Sequence, residues 1–201
     1  ANPGCYTTCS PLAIAPAIVN GLVSTKGIIC DCKSGVTGAG RKPNQGNHYP
    51  ELNEGFHAYK VASHRHTPEI EQTLSKLSGE KVIITFVPHL LPVNRGILAT
   101  VYADIKDGVT FEQIRKAYED FYKDEFFVRL LDDGKCADIH NIKYSNFCDV
   151  SNHHDKRANK LVACAAIDNM VKGAAGQAIQ NMNIIFGLDE KTGLVIVPPA
   201  F

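Results

Sequence analysis

Cys5 follows Asn2-Pro3-Gly4 and precedes Tyr6-Thr7-Thr8 and a long apolar stretch, so a thiol stands at a glycine-marked turn just ahead of a helical pattern. Backbone N–H groups at a helix N-terminus favour the thiolate, the form that attacks carbonyls and acyl phosphates. Cys5 is therefore expected to be a nucleophile and the most reactive thiol of the chain. The run Ser10-Pro11 reads as an N-cap with Pro at the first helical position, unless the helix starts nearer Cys5 and kinks at Pro16. In His64-Arg65-His66-Thr67-Pro68-Glu69, two imidazoles immediately precede a second helix entry, with Thr67 as its N-cap and Pro68 at N1. The dipole there disfavours imidazolium and leaves a neutral ring free to exchange a proton near pH 7. A metal held by His64, His66 and Glu69 is disfavoured, because no Cys or His elsewhere has zinc-type partner spacing. In Gly173-Ala174-Ala175-Gly176-Gln177, two glycines three apart let a backbone or a flat ring approach closely. No G-x-G-x-x-G occurs anywhere. Arg95 and Arg41 are loop cations suited to carboxylate or phosphate. Each feature also has a plain structural reading: a small buried hydrophobe, a decorated helix entry, a tight helix–sheet contact, a solvated surface.

The elements that must position these groups follow from periodicity. Gly27 to Lys33 reads as a strand running into the loop Ser34-Gly35-Val36-Thr37-Gly38-Ala39-Gly40-Arg41. The polar Gly/Pro/Asn-rich stretch 42–54 is too long for a simple connection and is expected near a site. Ile70, Leu74 and Leu77 give the helix after Thr67 an apolar stripe, and Ser78-Gly79 ends it. Val82 to Val87 is a short strand, and Gly96 to Ile105 alternates with period two. Thr110-Phe111-Glu112-Gln113 is a capping box ahead of a helix that buries Phe111, Ile114, Tyr118 and Phe121. Phe126 to Leu131, Leu161 to Ile167 and Leu194 to Val197 read as further strands. A helix follows Asp168. Without strict βαβ alternation the expected class is α+β, a mixed and largely antiparallel sheet covered by helices on one face, with no division into two domains.

The chain has 201 residues, 44% of them hydrophobic, enough for a substantial core. Lys plus Arg and Asp plus Glu balance at 21 each, so no overall field recommends nucleic acid or a membrane as partner. The seven cysteines are an odd number without a regular framework, and Cys30-Asp31-Cys32 is too close-spaced for an ordinary bridge. All seven are read as thiols in a reducing, cytoplasmic setting. The opening Ala, almost on the candidate nucleophile, suggests a fragment of a longer protein.

Taken in order, Asn2-Pro3-Gly4-Cys5-Tyr6, Ser34 to Arg41, His64 to Ile70, Pro88-His89-Leu90-Leu91-Pro92 with Arg95-Gly96, and Gly173 to Asn183 resemble the N-acetyl-gamma-glutamyl-phosphate reductases of arginine biosynthesis from end to end of the chain. These are relatives of the aspartate-semialdehyde and glyceraldehyde-3-phosphate dehydrogenases. The resemblance implies that residues 1–201 are the catalytic and dimerisation domain, lacking an N-terminal dinucleotide-binding Rossmann domain. It implies attack of Cys5 on N-acetyl-L-glutamyl 5-phosphate, loss of phosphate, and reduction of a thioacyl enzyme by NADPH to the 5-semialdehyde. His66, with His64 second, would be the acid/base. Arg95, Arg41, Ser34, Gly35 and Glu69 would bind substrate, and Gly173, Gly176 and Gln177 would lie beside the nicotinamide of NADPH/NADP. No metal is implied. Tight cofactor binding would need the missing domain as partner, and a homo-oligomer, dimer or tetramer, is expected. A competing reading is a stand-alone cysteine-dependent hydrolase or acyltransferase.

Overall fold

A computed structural model describes residues 2–197. The first helix, α1 (Cys5–Val19), is buried on nearly all sides and contains both Pro11 and Pro16. An all-round apolar helix of this kind belongs in the centre of a domain rather than on its surface. Proline at 16 cannot donate to the Leu12 carbonyl four residues back. The Tyr122 hydroxyl donates to that carbonyl instead, and the Tyr118 hydroxyl donates to the Ala13 carbonyl at 2.7 Å. The Tyr122 contact thus replaces the bond that Pro16 removes, and the helix runs through both prolines with its start at Cys5.

Seven strands form one sheet in the order β2-β3-β1-β4-β7-β6-β5. They are β1 (Ile28–Gly35), β2 (His57–Ala58), β3 (Ile84–Leu91), β4 (Ile97–Asp104), β5 (Val128–Leu130), β6 (Cys148–Asp155) and β7 (Lys160–Ile167). β1 with β3 and β5 with β6 run parallel; the other four pairings are antiparallel. The sheet is mixed and largely antiparallel, as expected. Its inner face carries Cys30 and Cys32, Ala99 and Val101, and Ala163 and Ala165, all fully buried. Such small side chains let α1 lie close to the sheet, to the point that the Cys9 thiol donates to the Ala165 carbonyl at 3.3 Å.

The remaining helices are the single turn α2 (Tyr49–Leu52), α3 (Thr67–Ser78), α4 (Phe111–Tyr122) and α5 (Gly176–Ile185), the last preceded by a π turn, Val171–Ala175. α3 ends at Gly79, which takes the left-handed conformation (φ 75°). α4 has the expected capping box: Gln113 N donates to Thr110 Oγ1 while Thr110 N donates to the Gln113 side chain. Its buried residues are Ile114, Tyr118 and Tyr122. Phe121, expected inside, is exposed, because Tyr122 takes the inward position that completes the contact with α1. His66 rather than Thr67 stands at the N-cap of α3, and no side chain caps that helix.

One further expectation fails, and one strand is new. Leu194 to Val197 is not a strand; no neighbouring strand pairs with it, and Val195, Ile196 and Val197 are exposed. β6, unforeseen in the sequence, lies between β5 and β7. Its buried polar residues disguised it, and each finds a partner: Asp149 pairs with Arg129, Ser151 accepts from the Ala137 N–H, and Asn152 accepts from Arg115. No helix among the described residues is long and apolar enough to cross a membrane.

Candidate active site

Gly4 caps α1 with an extended backbone (φ −66°, ψ 161°), and Cys5 is the first helical residue. α3 begins beside it and brings the histidine cluster with it. The His66 ring lies flat against Gly4: a side chain at position 4 would place its Cβ 2.5 Å from Nε2 of His66. Glycine is needed here for close approach. Cys5 and His66 share a cavity of about 400 Å³, also lined by Tyr6, Ser34, Gly35, Tyr59, Lys60, His64 and Arg65. Of the 42–54 excursion, Asn44, Gly46 and Asn47 reach the same cavity.

The two histidines have different environments. His64 is buried and edge-on to Tyr6, Tyr59 and Phe86, with ring centroids 5.3–5.6 Å apart. Its Nδ1 accepts the backbone N–H of His66 at 3.1 Å, which fixes the remaining ring proton on Nε2. Burial, with the nearby His66, Lys60 and Arg65 charges, lowers its pKa to about 4. His64 therefore stays neutral and supports the entry of α3. His66 is half-buried; burial and Arg65 pull its pKa below the usual value, and Glu69 opposes them. Its Nδ1 is buried without a partner among the described residues.

Cys5 does not have the low pKa expected from its helix position. Burial pushes the thiol up, more strongly than the N–H groups of Tyr6 and Cys5 and the Arg65 charge pull it down, and Glu69 adds to the rise. Desolvation outweighs the helix terminus because Cys5 is packed into the cavity wall, with Gly173 close behind it.

The expected substrate and cofactor residues are placed unevenly. Ser34 and Gly35 line the cavity, and Gly35 is pressed against the next loop: a Cβ there would meet the Asn94 carbonyl oxygen at 2.7 Å. Arg95 is turned away, bonded to the buried carboxylate of Asp168 at 3.0 Å and stacked over the Tyr144 ring. Arg41 is exposed and outside the cavity lining. The cations that do line it are Lys60 and Arg65. Lys60 and Ala62 have φ of 45° and 54°, conformations that side chains disfavour and that cluster at functional sites. Glu69 is spent on the protein itself, accepting from Gly4 N and Thr7 Oγ1.

Gly173 backs onto Cys5, Gly176 onto Val171 and Asn146, and both ends of the Gln177 amide are used: Oε1 accepts from Thr8 Oγ1 at 3.1 Å, and Nε2 donates to the Pro3 carbonyl at 2.8 Å. Gly173 and Gln177 brace the Cys5 turn from behind. Sequence reasoning missed Tyr59 and Lys60, which carry no local signal and arrive here only through the turn after β2; Arg65 was visible inside the histidine motif but was not singled out.

Residues 5–169 match the family described as the semialdehyde dehydrogenase dimerisation domain. The N-acetyl-gamma-glutamyl-phosphate reductase of Brachyspira hyodysenteriae is 57% identical over 201 residues, covering all of this chain and 57% of the relative. That of Clostridium kluyveri is 54% identical over 200 residues, covering 58% of the relative. The chain thus spans under three-fifths of the length of these relatives. Among solved structures, the fold resembles aspartate semialdehyde dehydrogenase II from Vibrio cholerae, with TM-score 0.72, 15% identity, and coverage of 93% of this chain and 62% of that one. The aspartate semialdehyde dehydrogenase of Francisella tularensis gives 0.71 at 13% identity, with coverage of 92% and 64%.

Proposed function

The chain belongs to the semialdehyde dehydrogenase dimerisation-domain family, and we propose that it is the catalytic and self-associating part of an N-acetyl-gamma-glutamyl-phosphate reductase. The observation that carries this reading is the juxtaposition of Cys5 and His66 across Gly4, in a chain more than half identical along its whole length to enzymes of that name. The cavity has room for a small acyl phosphate, and its two cations, Lys60 and Arg65, replace Arg95 and Arg41 as partners for the substrate's anionic groups.

In this reading the thiol of Cys5 gives its proton to His66. The sulfur forms a bond to the acyl carbon of N-acetyl-L-glutamyl 5-phosphate, and the acyl–phosphate bond breaks with its electrons on the departing phosphate. With a raised thiol pKa the sulfur need not be ionised at rest: its proton passes to His66 as the bond to the acyl carbon forms. NADPH is the proposed reductant of the whole protein and supplies a hydride when bound. What residues 1–201 contribute is the acyl transfer and the proton on His66. The dinucleotide is proposed to be held by sequence outside these residues, and the isolated chain to fold without turning over. The open face of the sheet, where Ile29, Val87 and Tyr102 form an apolar patch, is the proposed self-association surface.

The test is phosphate-dependent reduction of NADP⁺ by N-acetylglutamate 5-semialdehyde with the full-length protein. Activity is expected, with loss on Cys5→Ala. Turnover that survives Cys5→Ala, or a full-length protein that oxidises aspartate semialdehyde but not the N-acetylglutamyl compound, sinks the proposal.

A further inference from the structure

α1 starts without a cap of its own. Gly4 has no side chain to cap with, and no acidic residue lies in the first turn. Uncapped N–H groups at a half-buried helix start are costly, and some group must meet them. Glu69, in the first turn of α3, meets one of them and a side chain besides: Oε1 accepts from the N-cap amide, Gly4 N, at 3.1 Å, and Oε2 accepts from the Thr7 hydroxyl, Oγ1, at 2.8 Å. One carboxylate therefore lies at the N-termini of two helices, where both dipoles favour negative charge. It bridges the residue before Cys5 and the helix whose N-cap is His66.

We propose that Glu69 is a positioning residue, a clamp that fixes the Cys5 turn against His66 by capping α1 from α3. This rests on the reading of Cys5 as nucleophile and His66 as proton carrier, and it removes Glu69 from the substrate-binding set. Its charge also acts on the pair. The groups facing Cys5 are Arg65 and Glu69 from α3 and its entry, His66 across Gly4, Tyr59 from the turn after β2, Cys9 from α1 and Cys32 from β1. Of the formal charges among them, Glu69 alone is negative at neutral pH. It opposes the thiolate and favours the imidazolium.

The experiment is iodoacetamide labelling of residues 1–201 across pH, resolved by residue with mass spectrometry, for wild type and Glu69→Gln. Glutamine keeps an acceptor for the Gly4 N–H and removes the charge. The Cys5 midpoint should move to lower pH, making labelling at pH 7.5 about threefold faster for a shift of roughly half a unit, while Cys9 and Cys30 stay protected. An unmoved or raised midpoint overturns the clamp, and so does a shift accompanied by labelling of Cys9 and Cys30, which marks general loosening. A second measurement needs no variant: in wild type the Gly4 amide should exchange with deuterium far more slowly than that of Asn2, and equal rates overturn the proposal. In the full-length protein Glu69→Ala, which removes both acceptors, should lower kcat about 10- to 100-fold with KM unchanged, the mark of misplacement rather than lost substrate contact, and Glu69→Gln should restore part of the loss. A rise in KM alone returns Glu69 to substrate binding and overturns the clamp. The labelling and exchange readouts require no turnover, so they stand or fall separately from the reductase reading.

Discussion

Gly173 lies directly behind Cys5, so close that a methyl group at position 173 would sit 2.9 Å from the Cβ and 3.3 Å from the Cα of the cysteine. The contact on one side is backbone, which cannot rotate away. Gly173→Ala should therefore displace the nucleophile turn and cost about 1–3 kcal/mol, read from the denaturant midpoint. A variant as stable as wild type with unchanged Cys5 labelling would show that this face is slack.

Arg95 and Arg65 should separate stability from binding. Arg95→Ala leaves the fully buried Asp168 carboxylate with only the N–H groups of Tyr144, Met170 and Val171, and should cost about 1–3 kcal/mol of stability. Arg65→Ala, with no ion pair to lose, should leave the melting temperature nearly unchanged and raise KM for the acyl phosphate in the full-length protein. The reverse pattern would restore Arg95 to the substrate site.

Limited alkylation tests the thiols. Cys9, Cys30, Cys32 and Cys148 are fully buried and should label only on unfolding, while the exposed Cys136 should label first at neutral pH. Cys5 should gain on it as pH rises, because burial lifts its pKa. Labelling of Cys5 that is already complete and flat with pH near neutrality would contradict this.

Stability should fall on mild acidification. His64 titrates near 4 when folded and near 6.5 when unfolded, so between these values the unfolded chain binds the more protons and stability rises with pH. The contribution is fully present above about pH 6.5 and lost progressively toward pH 4. His66, shifted in the same direction, adds to it. His64→Asn keeps an acceptor for the His66 N–H and should flatten the dependence of the urea midpoint between pH 7 and 4.5; an equally steep curve would assign it to other groups.

Local signals were legible where one rule decided the outcome. The alternation of β4 and the Thr110 capping box could be read directly, and Gly79 ended α3 as its type demands. β6 was hidden because its buried polar residues are satisfied by Arg115, Arg129 and the Ala137 N–H, partners that no window of sequence displays. The apolar run at Leu194 misled because a strand also needs a neighbour. At the site, Cys5 and His66 announced themselves through helix starts, whereas the packing around Cys5, which reverses its expected pKa shift, comes from the assembled cavity wall. Glu69 was visible as an acid in a first turn, yet its donors on α1 lie 62 and 65 residues away.

The two prolines of α1 also have a consequence for the order of assembly. A helix with proline in its interior forfeits about 3 kcal/mol per residue and does not persist alone. The hydroxyls that hold α1 at this point belong to Tyr118 and Tyr122, 105 and 110 positions further along the chain, and that of Tyr122 takes the carbonyl Pro16 leaves free. During synthesis the segment bearing Cys5 is made long before α4, and until α4 docks it lacks the frame that makes it helical. The cysteine is then an ordinary thiol on a loose strand of polypeptide. The geometry around Cys5 is in this sense a late product of folding, and a nascent or truncated chain ending before residue 111 should carry Cys5 without a defined turn around it.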